Sequence, residues 1–287
     1  REIAKITIET LIKDGRIHPA RIEEVYDKVS KDMSEKITEI GNEACYELGL
    51  TKVDPKLVNL IGKLNFRTSY GQNALQHSKE VGHLCGLIAA ELGENINLAK
   101  RAGLLHDIGR FEQYKVFGSD VDHETVDHAD YSVVQLFDKN EIKLFTDRED
   151  WYPILKFAIK NHNKREIPEC NDERVLMFTK LIRDIDKLDI VYLLGYLGLH
   201  MYKDVSEEIT PVVREYIFNH ETVDVTKCLN DNDWTTAQFA FVFDINNDVI
   251  LREYKDNLKY LYDRVNKDRF KEIYEEIINY LDERIDI

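Results

Sequence analysis

The chain is poor in residues that interrupt helices and in residues that staple or anchor a fold. Five prolines and thirteen glycines among 287 residues leave no room for a low-complexity linker. The four cysteines, Cys45, Cys85, Cys170 and Cys228, are dispersed without a CxxC spacing. That excludes a disulfide frame or a thiolate zinc site and reads as reduced thiols in a cytoplasmic protein. No apolar run approaches the roughly 18 residues that cross a bilayer, and no signal peptide is visible, so no membrane segment is expected here. Positive charge is short as well: 39 Lys and Arg against 54 Asp and Glu leave a net charge of −15. A surface of that sign repels phosphate backbones, whereas a dedicated nucleic-acid binder usually carries a basic face.

What the chain does have is helical periodicity nearly throughout, which predicts an all-α fold. Its 43% hydrophobic content suffices for one large domain or for a core domain with helical additions. From Arg21 to Leu48, apolar residues (Ile22, Val25, Val29, Met33, Ile37, Ile40, Ala44) recur at helical spacing among charged ones. This predicts a long amphipathic helix usable for packing or self-association. Asp54-Pro55 reads as a helix start, with Pro55 in the first helical position. Further helices are predicted over 72–92, 98–108, 131–137, 151–161 and 174–196. A pocket-bordering loop is expected between Phe111 and Asp127. The run from Ala237 to Phe243 could pass for a strand, but the helices expected on either side favour a buried helix.

The chemistry-bearing residues stand out against this background. His106 and Asp107 are adjacent in the apolar segment Leu104-Leu105-His106-Asp107-Ile108-Gly109. A buried carboxylate without compensation costs several kcal/mol, and a cation would supply that compensation. Imidazole with carboxylate suits a divalent ion such as manganese, iron, zinc, nickel or magnesium. Other ligand types lie on other apolar stripes: His77 with Val81, Leu84, Ile88 and Leu92, His162 with Leu155 and Ile159, and Asp186 between Ile182 and Ile190. Taken singly, each reads most simply as a satisfied core histidine or a hydrogen-bonded buried carboxylate. Taken together on separate helices, they point to a metal site. Asp184, with Lys180 and Lys187 at pairing distance along the helix, reads as a surface ion pair. His83 faces Gln76, Lys79 and Glu80 and reads as solvated, and His18, His200 and His220 read as ordinary histidines.

The order His, His-Asp, Asp resembles the HD phosphohydrolase superfamily. Residues from about 1 to 110 are similar to the ribonuclease Y family just after its KH domain. The likeness rests on Asp14-Gly15-Arg16-Ile17-His18-Pro19-Ala20, Arg67-Thr68-Ser69-Tyr70-Gly71-Gln72-Asn73 and Arg101-Ala102-Gly103-Leu104-Leu105-His106-Asp107. Beyond Arg110, Phe111-Glu112-Gln113, Asp127-His128-Ala129, Asn161-His162-Asn163-Lys164 and Arg183–Asp189 resemble small bacterial HD proteins instead. The chain opens on Arg1 within text similar to the exit from a KH domain, so a fragment or an engineered mosaic is expected.

The resemblance implies an HD helical bundle over 66–200, an N-terminal helical region over 1–65 able to self-associate into a homodimer, and a helical extension over 201–287. It implies metal ligands at His77, His106, Asp107 and Asp186. His128 and His162 stand where two-metal members add ligands, with Asp107 as the bridge. His123 competes with His128, which is preferred because it opens a helix whose apolar face runs through Val133 and Leu136. One or two divalent ions would then activate water and polarise a phosphoryl oxygen, assisted by Asp107. Arg110, Lys164 and Lys187 are candidates for stabilising phosphoryl charge, and each also reads as a solvated helix end or an ion pair. The leading expectation is a phosphodiesterase of endoribonuclease type acting on RNA. The alternatives are a phosphatase or nucleotidase acting on a small phosphorylated compound, supported by the acidic charge, and a non-catalytic HD module.

Overall fold

Start signals near the chain's helix ends are met by local side chains. In the computed structural model, which describes residues 2–69, 72–119, 122–198 and 206–285, helix α1 (Glu2–Asp14) leads into the long α2 (Pro19–Glu47). The side chain of His18 accepts the Arg21 backbone N–H there, and Pro19 occupies the first turn, where a missing N–H costs nothing. Asp54 caps α3 (Pro55–Leu64) through the Lys56 N–H, as its Asp-Pro start predicts. Asn73 caps α4 (Ala74–Glu91) and Asn95 caps α5 (Ile96–Leu105), each accepting an N–H of the first turn. After the turn through His106 and Asp107, α6 (Gly109–Phe117) runs to Gly118, whose φ of 77° closes the helix in the left-handed region.

Asp127 caps α7 (His128–Val133), and α8 (Tyr152–Asn161) follows with Pro153 in its first turn. Asp172 caps α9 (Glu173–Tyr192). Beyond it, α10 (Pro211–Phe218), α11 (Asp231–Phe239), α12 (Asp248–Tyr262) and α13 (Lys267–Ile285) complete the chain. The run from Ala237 to Phe243 folds as the end of α11 and a tight turn over Ala240–Asp244, with Phe239, Ala240 and Val242 fully buried. The all-α expectation holds, with one small addition: Thr68–Ser69 and Gln72–Asn73 pair as two short antiparallel strands just before α4.

The loop expected between Phe111 and Asp127 is a correction. Most of its first half is helix α6, and Asp122–Glu124 form a short turn. The cause is tertiary. Gln113 is fully buried, and its amide donates to Asp122 Oδ1, Thr125 Oγ1 and the Val126 carbonyl, while the Arg67 guanidinium lies over the Tyr114 and Phe111 rings.

One continuous apolar core runs from Ala44 in α2 to Leu281 in α13, joining α3–α5, α8–α9 and the C-terminal helices. A second, small cluster of Leu11, Val25 and Val29 joins α1 to the first half of α2. Glycines set the closest helix approaches. A Cβ at Gly103 of α5 would stand 2.7 Å from Gly82 Cα of α4, and one at Gly109 of α6 would stand 2.5 Å from the Ser132 nitrogen of α7. These two contacts draw together the helices that carry the chemistry-bearing side chains.

Candidate metal centre

Five segments deliver six side chains to one point. His77 comes from α4, His106 and Asp107 from the turn after α5, His128 from the first residue of α7, His162 from the end of α8 and Asp186 from α9. The Gly82–Gly103 approach brings His77 Nε2 to 3.2 Å from His106 Nε2. The Gly109–α7 approach does the same for Asp107 and His128. There Ser132 Oγ accepts the Gly109 N–H and donates to the His106 carbonyl, locking the turn onto α7. His128 Nε2 then lies 3.0 Å from His162 Nε2 and 3.1 Å from Asp107 Oδ1. Asp186 Oδ1 closes the first group, 3.0 Å from His77 Nε2 and 3.8 Å from His106 Nε2.

The protonation pattern follows from the outer ring nitrogens. His106 Nδ1 lies 2.6 Å from the Gly103 carbonyl and His162 Nδ1 lies 2.7 Å from the Ile159 carbonyl. A carbonyl only accepts, so both Nδ1 atoms carry the proton and both Nε2 atoms turn a lone pair inward. His77 Nδ1 and His128 Nδ1 are held by carboxylates instead, Asp189 Oδ2 and Asp122 Oδ2, each at 2.6 Å. All four imidazoles therefore aim Nε2 at the centre. Asp107 splits its oxygens: Oδ2 accepts from Arg110 Nε at 2.8 Å, while Oδ1 is buried with no hydrogen-bond partner, facing the histidine nitrogens. Ligands around an ion with bonds of about 2.1 Å stand about 3 to 3.4 Å apart, and four of the inward pairs lie 3.0–3.2 Å apart. Four inward-facing imidazole Nε2 atoms and an orphaned buried carboxylate oxygen fit a divalent ion.

The electrostatics divide the histidines in the same way. Burial penalises the charged form of all four. For His77 that penalty is outweighed by hydrogen bonds and charge from Asp186 and Asp189, leaving its pKa well above the usual imidazole range. His128 is also raised: burial and the Arg110 charge oppose it, but Asp107 and Asp122 prevail. His106 is lowered by burial, and His162 falls to about 3 through burial and the neighbouring imidazoles. Burial would raise the acid of Asp107, but Arg110, His106 and His128 hold it well below the carboxylate range.

The expected cations take other partners. Arg110 pairs with Asp107 and approaches His128 Nε2 at 3.3 Å. Lys164 bridges Asp127 and Asp130, at 2.7 and 2.8 Å. Lys187 is buried against Asp244 at 2.8 Å. Asp184 corrects the surface ion-pair reading. It is buried and accepts from the Asn246 and Asn247 backbone N–H groups and from the Asn246 amide, partners some sixty residues away that helical spacing cannot reveal. Burial lifts its pKa to about 6 against those hydrogen bonds.

His83 is exposed, His18 serves as a helix cap, and His220 pairs with Glu276 at the surface. The side chain of His123 and all of His200 lie outside the described residues. Sequence reasoning missed Asp122, Ser132, Arg183 and Asp189. Arg183 is fully buried and donates to the Asn161, His162 and Lys164 carbonyls, fixing the end of α8 where His162 sits. Of the four, only Asp189 left a signal, since it follows Asp186 by one helical turn on the same face.

Residues 74–192 match the family model described as the HD domain. That stretch is similar to an HD domain. All six converging side chains lie within it. Among curated proteins, the chain is 58% identical over 121 residues to a ribonuclease Y of Symbiobacterium thermophilum, a match that covers 42% of this chain and 23% of that protein. Ribonucleases Y of Latilactobacillus sakei and Enterococcus faecalis are each 57% identical over 122 residues, 42% of this chain and 23% and 24% of theirs. The chain thus spans about a quarter of the length of these curated relatives. No solved structure matches it.

Proposed function

We propose that this HD domain is a metal-dependent phosphohydrolase with a two-ion centre, and that it acts as a phosphodiesterase of endoribonuclease type. The observation that carries the reading is the convergence of four histidine Nε2 atoms on the partnerless Asp107 Oδ1, with Asp186 beside them. His77, His106 and Asp186 would hold one ion, His128 and His162 the other, with Asp107 shared. Bound there, divalent ions supply Lewis acidity toward a phosphoryl oxygen and lower the pKa of water toward neutrality. The side chains contribute orientation. Arg110 fixes Asp107 Oδ2 and so aims Oδ1, Ser132 locks the His-Asp turn, and Arg183 holds the end of α8. Arg110 also keeps positive charge beside the reacting phosphoryl group, while Lys164 and Lys187 act through the ion pairs that brace His128 and α9.

The endonuclease reading rests on the similarity to proteins named ribonuclease Y. Its test is incubation of manganese-loaded protein with a short 5′-labelled RNA and, separately, with a nucleotide panel. Internal cleavage of the RNA is expected. Turnover of a mononucleotide with no RNA cut at equal enzyme concentration would sink it and favour the phosphatase reading, which the net charge of −15 supports. A homodimer through the N-terminal helices is supported by exposed Ile8, Ile12, Ile17 and Tyr26 on and between α1 and α2. Sedimentation showing a monomer at micromolar concentration would exclude it. Among the described residues no helix is long and apolar enough to cross a membrane.

A further inference from the structure

We infer that Asp189 and Asp122 are matched positioning residues, one for each half of the centre, and that each governs retention of one ion. The inference rests on the two-ion reading above. The imidazoles divide evenly: in each half, one histidine is backed by a main-chain carbonyl and one by a carboxylate. In the first half these are His106 on the Gly103 carbonyl and His77 on Asp189 Oδ2. In the second they are His162 on the Ile159 carbonyl and His128 on Asp122 Oδ2. A carboxylate behind Nδ1 fixes the ring's tautomer and orientation and makes Nε2 a stronger donor, so each half leans most on its carboxylate-backed ring.

The two supports are built differently. Asp189 is on α9 one turn from Asp186, so a single rigid helix supplies a ligand and the support of a second ligand. Its side chain is 4% exposed. Asp122 sits in the short turn between α6 and α7 and is 32% exposed. It is held there by the buried amide of Gln113 at 3.0 Å, and it also accepts the His128 backbone N–H at 3.3 Å. Neither carboxylate faces the centre directly, and neither follows from the His, His-Asp, Asp order.

The test is titration of the whole chain with manganese(II) alone, under chelator competition, with anomalous scattering to locate the ions that remain. Asp189→Ala should weaken the His77/His106/Asp186 position by roughly 10–100-fold and leave the other within a few-fold. Asp122→Ala should do the reverse. Asp189→Asn and Asp122→Asn keep an oxygen to accept Nδ1–H, and each should retain affinity within roughly tenfold of the parent. They also control for misfolding in the alanine variants. Asp189 lines a cavity of about 540 Å³ between α4, α9 and α12, so formate should partly restore manganese affinity to Asp189→Ala. Equal loss of both ions in both alanine variants, or unchanged affinity in both, overturns the inference. A parent chain that binds fewer than two manganese ions overturns the two-ion reading itself, which is a separate result.

Discussion

At the scale of single residues, Asp107 divides its two oxygens between a buried ion pair and the proposed metal centre. Oδ2 completes a buried pair with Arg110, and Oδ1 faces the histidines without a partner. Asp107→Asn should therefore abolish hydrolysis while the chain stays folded. Asp107→Ala should in addition cost roughly 3 kcal/mol, because it removes the carboxylate from a buried charge pair. Circular dichroism under denaturant, read with activity, checks both; an Asn variant within tenfold of parental activity would remove Asp107 from the chemistry. The histidines give a pH prediction. His77 and His128 have raised pKa values, so without an ion each keeps its second proton to higher pH than an ordinary imidazole, whereas His106 and His162 are lowered. Each ion must displace the proton of one carboxylate-backed ring. Manganese affinity should thus fall as pH drops from 8 to 6, by up to about tenfold per pH unit per proton displaced. Calorimetry in buffers of different ionisation enthalpy would count those protons, and a pH-independent affinity would contradict the assignment. In the metal-free chain the same raised pKa values stabilise the fold fully below the unfolded imidazole pKa. That stabilisation is lost as pH rises through the folded values.

At the scale of elements, the centre depends on helices that approach more closely than ordinary side chains permit. Gly82 against Gly103 sets α4 on α5, and Gly109 against Ser132 sets α6 on α7. Gly103→Ala would drive a methyl group into backbone at 2.7 Å and wedge His77 away from His106. The expected cost is about 1–3 kcal/mol of stability, with a larger proportional loss of metal affinity at the first position than at the second. Denaturant unfolding and manganese titration measure the two effects, and unchanged affinity at both positions would show that the helix approach does not set the ligand geometry. Helix α6 adds a second lesson. Its apolar pattern is weak, and it is ordered by the buried Gln113 amide and the Arg67 stack, so local periodicity alone suggested a loop.

At the scale of the whole molecule, the proposed substrate is an anion meeting a chain of net charge −15. If RNA is the substrate, its cleavage should weaken steeply with salt, by roughly one power of salt concentration per phosphate contacted. A small phosphoester held near the centre should show a much shallower dependence. Steady-state rates from 50 to 300 mM salt would separate the two, and a salt-independent RNA rate would argue that few backbone phosphates are engaged.

The helical class and the approximate starts of α2 to α5, α8 and α9 are legible in local sequence, and the six converging side chains are those the family resemblance implies. Those features are local or periodic: an Asp-Pro cap, a polar ligand on an apolar stripe, a His-Asp doublet in a hydrophobic run. The docking of distant helices sets which second partner each buried polar side chain has. Asp189 behind His77, Asp122 behind His128, Arg183 behind His162 and Asn246 on Asp184 are pairings between segments distant in the chain or in a turn without periodicity. Such pairings are set by how helices dock, and docking depends on the summed packing of the core, which no short stretch of sequence contains.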